Sequence, residues 1–232
     1  ASRPTSATLM RHGEYAQPVG VPSAWLPHPL TDEGRLQADA AAAKIRGLAS
    51  AQGLELCPRV HCSTLLRAVE TAHEVMSSLG IEREHLETTP DLKERGLGAL
   101  ANLTVSEIEA IARRDPRVGE LPQGWKARSH FRLPYAGAES LFEAGARVAA
   151  YVDAVTREVA AREGRAKVTL FVGHGAAFRH AAVAFGVLEL SQVPALSMYH
   201  CDPILLLREP DGRWQHVGGD WKVRPRREHG GD

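Results

Sequence analysis

Apolar positions along this chain follow two rhythms. Short β-rich runs at Ala7–Arg11, Arg59–Cys62, Val168–Val172, Ile204–Arg208 and Trp214–Val217 read as strands, and the stretches between them repeat their apolar residues at helical spacing. The last two runs flank "EPDG", a turn signal that predicts a hairpin at the edge or end of a sheet. Strands alternating with helices predict an α/β domain with a largely parallel sheet.

Helix starts are readable. Thr31 is an N-cap candidate, with Asp32 and Glu33 suited to the helix dipole. Ser63 or Thr64 opens a second helix whose Leu65, Ala68, Val69, Ala72, Val75 and Leu79 share a face. "TVSE" from Thr104 and "SLFE" from Ser140 match the capping box, and Gly164 stops the second of these helices. A further helix follows "GHG" at 173–175. The loop Gly119–Gly137, rich in Pro, Gly, Arg and His, is too long for a simple connector and predicts a lid or substrate-reading segment. The tail 224–232 is expected to be mobile.

Composition narrows the setting. A chain of 232 residues that is 44% hydrophobic fits one core, so residues 1–232 are taken as a single domain. Its formal net charge is zero, which argues against nucleic acid or an anionic membrane as a partner and makes any anion recognition local. Cys57, Cys62 and Cys201 are an odd number without a CxxC pair, so no disulfide framework is expected and a cytoplasmic setting is favoured. Neither a signal-peptide core nor a bilayer-length apolar stretch is seen.

The chemistry lies where strands end. "TLMRHG" closes an apolar run with Arg11 and His12; a strand continuing there would send them to opposite faces and bury a charge, so the strand is expected to stop and Gly13 to let both heads reach one cleft. "CSTLLRAVETA" puts Arg67 in the first turn of a helix, and "VGHG" flanks His174 with glycines as His12 is flanked. In open α/β sheets ligands bind beyond the carboxyl ends of the strands, so parallel strands bring two histidines and two arginines together. Imidazole is a nucleophile near neutral pH, and guanidiniums bind phosphate oxygens in bidentate fashion. Histidine attack gives a phosphohistidine that water opens, and a nearby carboxyl such as Glu94 in "DLKERGLGAL" can protonate the leaving group. Singly, each residue also fits a bland role: a structural histidine, a solvated arginine, a surface ion pair of Glu94 with Lys93 or Arg95. Their conjunction is harder to explain that way.

Six segments, "LMRHGE", "PLTDEGRLQA", "CSTLLRAVETA", "DLKERGLGAL", "GAESLFEAGARV" and "VGHG", occur in the order of the histidine phosphatase superfamily, and the chain resembles its phosphoglycerate-mutase-like branch from residue 8 to about residue 220. The resemblance implies a three-layer α/β/α sandwich with a mostly parallel central sheet. It also implies His12 as the phosphorylated nucleophile, Arg11, Arg67 and His174 on the transferred phosphate, and Glu94 as proton donor and then base. Tyr15 and Ala176 join the substrate-binding set. No metal or organic cofactor is implied. The expected partner is a small-molecule phosphate ester, and the expected assembly a monomer or homodimer.

Some positions depart from the family pattern. Tyr15 and Pro18 stand where Ser or Thr and Asn are common, a serine often precedes "GHG", and Asn102 replaces a usual glycine. Between Glu94 and Glu139 the chain lacks the long insertion of the mutases, although "ERGLGAL" resembles theirs. A phosphomonoesterase is therefore expected, with a phosphoglycerate-type mutase or a non-catalytic binder as alternatives. Lys126, Arg128, His130 and Arg132 are candidates for a second acidic group on the substrate, and His200 for a structural role.

Overall fold

The computed structural model describes residues 5–22, 24–163 and 167–225. Six strands form one sheet in the order β3-β2-β4-β1-β6-β7: β1 (Thr5–Arg11), β2 (Glu55–Ser63), β3 (Leu86–Thr89), β4 (Lys167–Gly173), β6 (Pro203–Arg208) and β7 (Trp214–Gly218). The pairs β2–β3, β2–β4 and β1–β4 are parallel, whereas β6 runs antiparallel to both β1 and β7. The expected hairpin is thus present and adds a reversed strand to an otherwise parallel sheet. A separate two-stranded ribbon pairs β5 (Leu196–Ser197) with β8 (Lys222–Val223).

Residues alternating along β1 and β4 feed two cores, which is why these strands read as continuous apolar runs. Ala7, Leu9 and Phe171 pack against Val148, Val152, Phe178 and Ala181, which belong to α4 (Leu141–Glu163) and α5 (Gly175–Ala184). Met10, Leu170 and Val172 face the other way, onto Ala38, Ala42 and Ile45 of α1 (Asp32–Ala51) and Ala72, Val75 and Met76 of α2 (Leu66–Leu79). The result is a three-layer α/β/α sandwich. Its helix following β1 lies on one face and its helix following the adjacent β4 on the other, so a crevice opens between the carboxyl ends of these strands.

Local rules account for most helix starts. Thr31 accepts from the Gly34 N–H, and Thr104 and Glu107 form a reciprocal box that opens α3 (Val105–Arg114). Ser140 and Glu143 exchange the same pair of bonds at the start of α4. The second helix corrects the expectation: it begins at Leu66, without a side-chain cap, because Ser63 still belongs to β2 and its hydroxyl is turned toward His174. Strand β3 carried no apolar signal, since three of its four residues, Leu86, Glu87 and Thr88, are not buried. Gly164 and residues 226–232 lie outside the described residues; at the head of the tail, the Arg224 N–H donates to the Ala195 carbonyl.

The segment 119–137, expected as a lid or substrate-reading segment, is well packed. It packs Trp125 and Leu133, 2% and 3% exposed, onto Leu97, Leu100 and Ile108, forming a small apolar cluster of its own. The Arg95 guanidinium donates to the Lys126 carbonyl and the Phe142 N–H to the Ser129 carbonyl, tying the segment to the loop before it and the helix after it. The three cysteines are free and buried, and burial pushes the Cys62 and Cys201 thiols up to about 12, far from a reactive thiolate. No helix among the described residues is long and apolar enough to cross a membrane.

Candidate active site

A polar cleft of about 210 Å³ opens at the carboxyl ends of β1 and β4. Arg11, His12, Tyr15, Arg67, Glu94 and Ala176 all line it. His174 lies just beneath, fully buried, its ring centroid 5.1 Å from that of His12. The residues expected to carry phosphoryl transfer are therefore all at or against one cleft.

The end of β1 is held on all sides. The His12 N–H donates to the Gly173 carbonyl of β4, the Gly13 N–H to Thr71 Oγ1 and the Glu14 N–H to Gln37 Oε1. The segment before β6 braces it from the far side: the Cys201 N–H donates to the Arg11 carbonyl, His200 Nδ1–H to the His12 carbonyl, and Arg11 Nη1 to the Met198 carbonyl. Gly13 was expected to serve a turn, but its need is steric. A Cβ there would stand 2.5 Å from the Gly34 carbonyl oxygen, and one on Gly34 only 1.9 Å from that of Glu14. Two glycines let the His12 loop lie directly on the first turn of α1.

The histidine tautomers follow from their partners. His12 Nδ1 is 2.7 Å from the Gly13 carbonyl oxygen and donates to it, so Nε2 keeps its lone pair and accepts from Arg67 Nε at 3.3 Å. His174 Nδ1 accepts from Arg67 Nη2 at 3.4 Å, which leaves Nε2–H to donate to Ser63 Oγ at 2.9 Å. Burial, reinforced by the Arg67 guanidinium, holds both imidazoles well below their ordinary value, so both are neutral at neutral pH. Arg67 is 2% exposed and fixed by a third bond, from Nη1 to the Ala24 carbonyl. Tyr15 lies against it: the guanidinium carbon is 4.5 Å from the ring centroid, and the same ring meets His12 edge-on. Where a short hydroxyl residue is common, this chain has an aromatic plate that orients an arginine.

Glu94 approaches from a loop pinned by two long-range partners. The Arg147 guanidinium of α4 donates to the carbonyls of Pro90, Asp91 and Lys93, while Glu139 accepts from the Gly96 N–H and pairs with Arg147. The Glu94 carboxylate accepts from the Arg95 N–H and faces the cleft, whereas Lys93 stands over the Trp25 ring. Asn102 has a left-handed backbone (φ 68°), which explains how it replaces glycine, and its Oδ1 accepts from the Trp25 and Leu26 N–H groups.

One expectation fails. None of Lys126, Arg128, His130 and Arg132 lines the cleft, because their loop is committed to its own apolar cluster. In their place Arg179 and Arg224 line it, together with Gln17 and Ser197. Arg179 was legible in principle: on a helix that starts at Gly175, position 179 shares a face with 175 and 176. Arg224 sits in a segment with no periodic signal. Among the described residues, no group of three or more His, Cys, Asp or Glu side chains is placed to hold a metal ion.

Comparison with known proteins agrees with this geometry. The family model for the histidine phosphatase superfamily (branch 1) matches residues 7–218. A 2,3-bisphosphoglycerate-dependent phosphoglycerate mutase from Bartonella henselae is 28% identical over 186 residues, covering 80% of this chain and 83% of the mutase. Among solved structures, a mycobacterial glucosyl-3-phosphoglycerate phosphatase superposes with a TM-score of 0.66 at 26% identity, over 95% of this chain and 98% of its own. The fold is shared with a phosphoglycerate mutase from Bacillus anthracis (TM-score 0.70, 19% identity, 94% and 93% covered).

Proposed function

Because the chain belongs to the histidine phosphatase superfamily (branch 1), we propose that it is a phosphomonoesterase, hydrolysing a small phosphate ester through a phosphohistidine on His12. One observation carries the reading: a buried neutral imidazole with its Nε2 lone pair turned toward a guanidinium rather than toward a proton acceptor.

The sequence of steps follows from the contacts. The N–H that Arg67 directs at His12 Nε2 is a donor that a phosphoryl oxygen takes up on entry, and its departure frees the lone pair. Nε2 attacks phosphorus as the bond to the ester oxygen breaks, and Glu94 in its acid form gives the leaving oxygen a proton. The imidazolium that results is met by the Gly13 carbonyl at Nδ1–H. Arg11 and Arg67 hold the equatorial oxygens, whose charge spreads in the transition state, and His174 borders the same group. Glu94, now a carboxylate, takes a proton from water, which attacks phosphorus and breaks the P–N bond. Inorganic phosphate leaves and His12 returns neutral.

Water rather than a second acceptor is favoured by two features. The loop 119–137 contributes nothing to the cleft lining, so it does not enclose a reorienting intermediate. The cleft volume falls below the ~300–1,000 Å³ of drug-sized sites, so it suits a small phosphate ester and leaves little room for an intermediate to reorient inside it. The mutase reading has its own support in the Bartonella relative. Inorganic phosphate release across phosphorylated metabolites and one aryl phosphate, with His12→Ala alongside, decides between them. Release that vanishes in His12→Ala supports the phosphatase. Phosphoryl exchange between phosphorylated acids without net release supports the mutase.

A further inference from the structure

The cleft holds more positive charge than one phosphoryl group uses. Four guanidiniums, Arg11, Arg67, Arg179 and Arg224, line it, against the single carboxylate of Glu94 among the described lining residues. Resting on the phosphatase reading, we propose that Arg179 and Arg224 form a second anion subsite, so that the substrate is a phosphate ester bearing another acidic group, a carboxylate or a second phosphate.

Arg179 is built in place. It is 7% exposed, with Nε bonded to the Gly175 carbonyl at 3.2 Å and Nη1 to those of Val193 and Leu196 at 2.9 and 2.7 Å. Three carbonyls fix the plane of the guanidinium, and among the described residues Nη2 makes no hydrogen bond and the side chain no ion pair. Burial brings its pKa down to about 10, which still leaves it cationic at neutral pH. A buried arginine needing only structural satisfaction has it already; Arg224 is what that role leaves unexplained. Its backbone is anchored to Ala195, yet its exposed side chain lines the cleft and pairs with no carboxylate among the described residues. Arg224 lines the same cleft as Arg11 and Arg179, and its charge disfavours the charged forms of both. Like charges gathered around an open space are mutually costly until an anion enters, and a fixed buried fork beside an exposed one suits a planar carboxylate or a phosphate. Ser197 and Gln17 add polar groups to the same rim.

The test compares 3-phosphoglycerate with glycerol 3-phosphate, which differ by a carboxylate in place of a hydroxymethyl group, and adds glycerol 1,3-bisphosphate as the second-phosphate arm. Binding is measured by titration calorimetry on the His12→Ala chain, so the result does not depend on turnover. A ligand with the second acid should bind about tenfold tighter or more than glycerol 3-phosphate, the value of one charge-assisted contact. Adding Arg224→Gln should reduce that ratio to about threefold or less, and the arm that loses more names the acid. Adding Arg128→Gln instead, an exposed cation away from the cleft, should leave the ratio intact. A ratio near one, a ratio that survives Arg224→Gln, or an equal fall with Arg128→Gln overturns the subsite. Phosphate release by the unmodified chain is scored apart: preference without release contradicts the phosphatase and keeps the subsite, and release without preference does the reverse.

Discussion

Arg67 touches both histidines, so replacing it separates two roles that one side chain combines. Its charge disfavours protonation of His12, second only to burial among the causes, and its planar fork supplies Nε to His12 and Nη2 to His174. In Arg67→Gln the charge goes and the His12 pKa moves up toward its ordinary value of ~6.5. Because His12 attacks only when neutral, the acid limb of the kcat/KM profile, which reports the free protein, should move to higher pH. Arg67→Lys keeps a charge but loses the fork, so the limb should move less while the rate still falls. Two charge-assisted bonds to transferring oxygens, each worth ~1.5–3 kcal/mol, correspond to a loss of roughly 10² to 10⁴ in kcat/KM for either variant. The lost partner of the Ala24 carbonyl adds about 1–3 kcal/mol of destabilisation, visible in thermal unfolding and separable from the rate. Full pH–rate profiles of the three proteins on an aryl phosphate are the assay. Arg67→Lys within about threefold of the unmodified rate would refute the fork argument. An acid limb unmoved in Arg67→Gln would refute the coupling to His12.

Other residues give further expectations. Glu94→Gln should slow alkyl phosphates far more than aryl phosphates, whose leaving oxygen needs little protonation; equal losses on paired substrates would assign the acid elsewhere. Gly34→Ala forces a Cβ against the Glu14 carbonyl and should cost at least ~1–3 kcal/mol by overpacking, lowering the unfolding temperature. Gly47→Ala, on the same helix with nothing within 4 Å, should instead stabilise by up to about 1 kcal/mol, and a similar loss in both would remove the steric argument. Buried His61, bonded to the Tyr151 hydroxyl, is lowered to about 4, chiefly by burial. Between pH ~6.5 and about 4 the unfolded chain binds a proton at this site that the folded one does not, so stability is lost as the pH drops through that window, by on the order of 3 kcal/mol at most. Denaturant unfolding of His61→Gln between pH 4 and 7 should show a flatter slope; an unchanged slope would remove His61 from the acid response.

What was legible in the sequence is what local chemistry enforces. Strand β1 could be stopped at Arg11 because an unpaired buried charge is costly, and Thr104 and Ser140 opened helices because their boxes are complete within four residues. The six ordered segments gathered His12, Arg67, Glu94 and His174, and the structure brings all four to one cleft. The remainder depends on contacts far apart in the chain. Gly13 and Gly34 matter as a pair of backbones in contact, which neither position announces. Ser63 looked like a helix cap because its bond to His174, 111 residues away, has no local trace. The basic residues of 119–137 resembled a substrate loop, but Trp125 and Leu133 give that loop a core of its own, and the extra cations come from α5 and from Arg224. Tyr15 was expected in the substrate-binding set, and its contact with Arg67, distant in the chain, has no local trace either.

The central claim is a covalent intermediate on one named nitrogen, and trapping it is the most direct test. The protein is mixed with an aryl phosphate, quenched within the first turnover in alkaline denaturant where a P–N bond survives, digested, and analysed by mass spectrometry. The account predicts a phosphoryl adduct on the peptide containing His12, absent in His12→Ala and accumulating when Glu94→Gln slows attack by water. Steady phosphate release with no adduct on His12, or an adduct on His174 in its place, would contradict it.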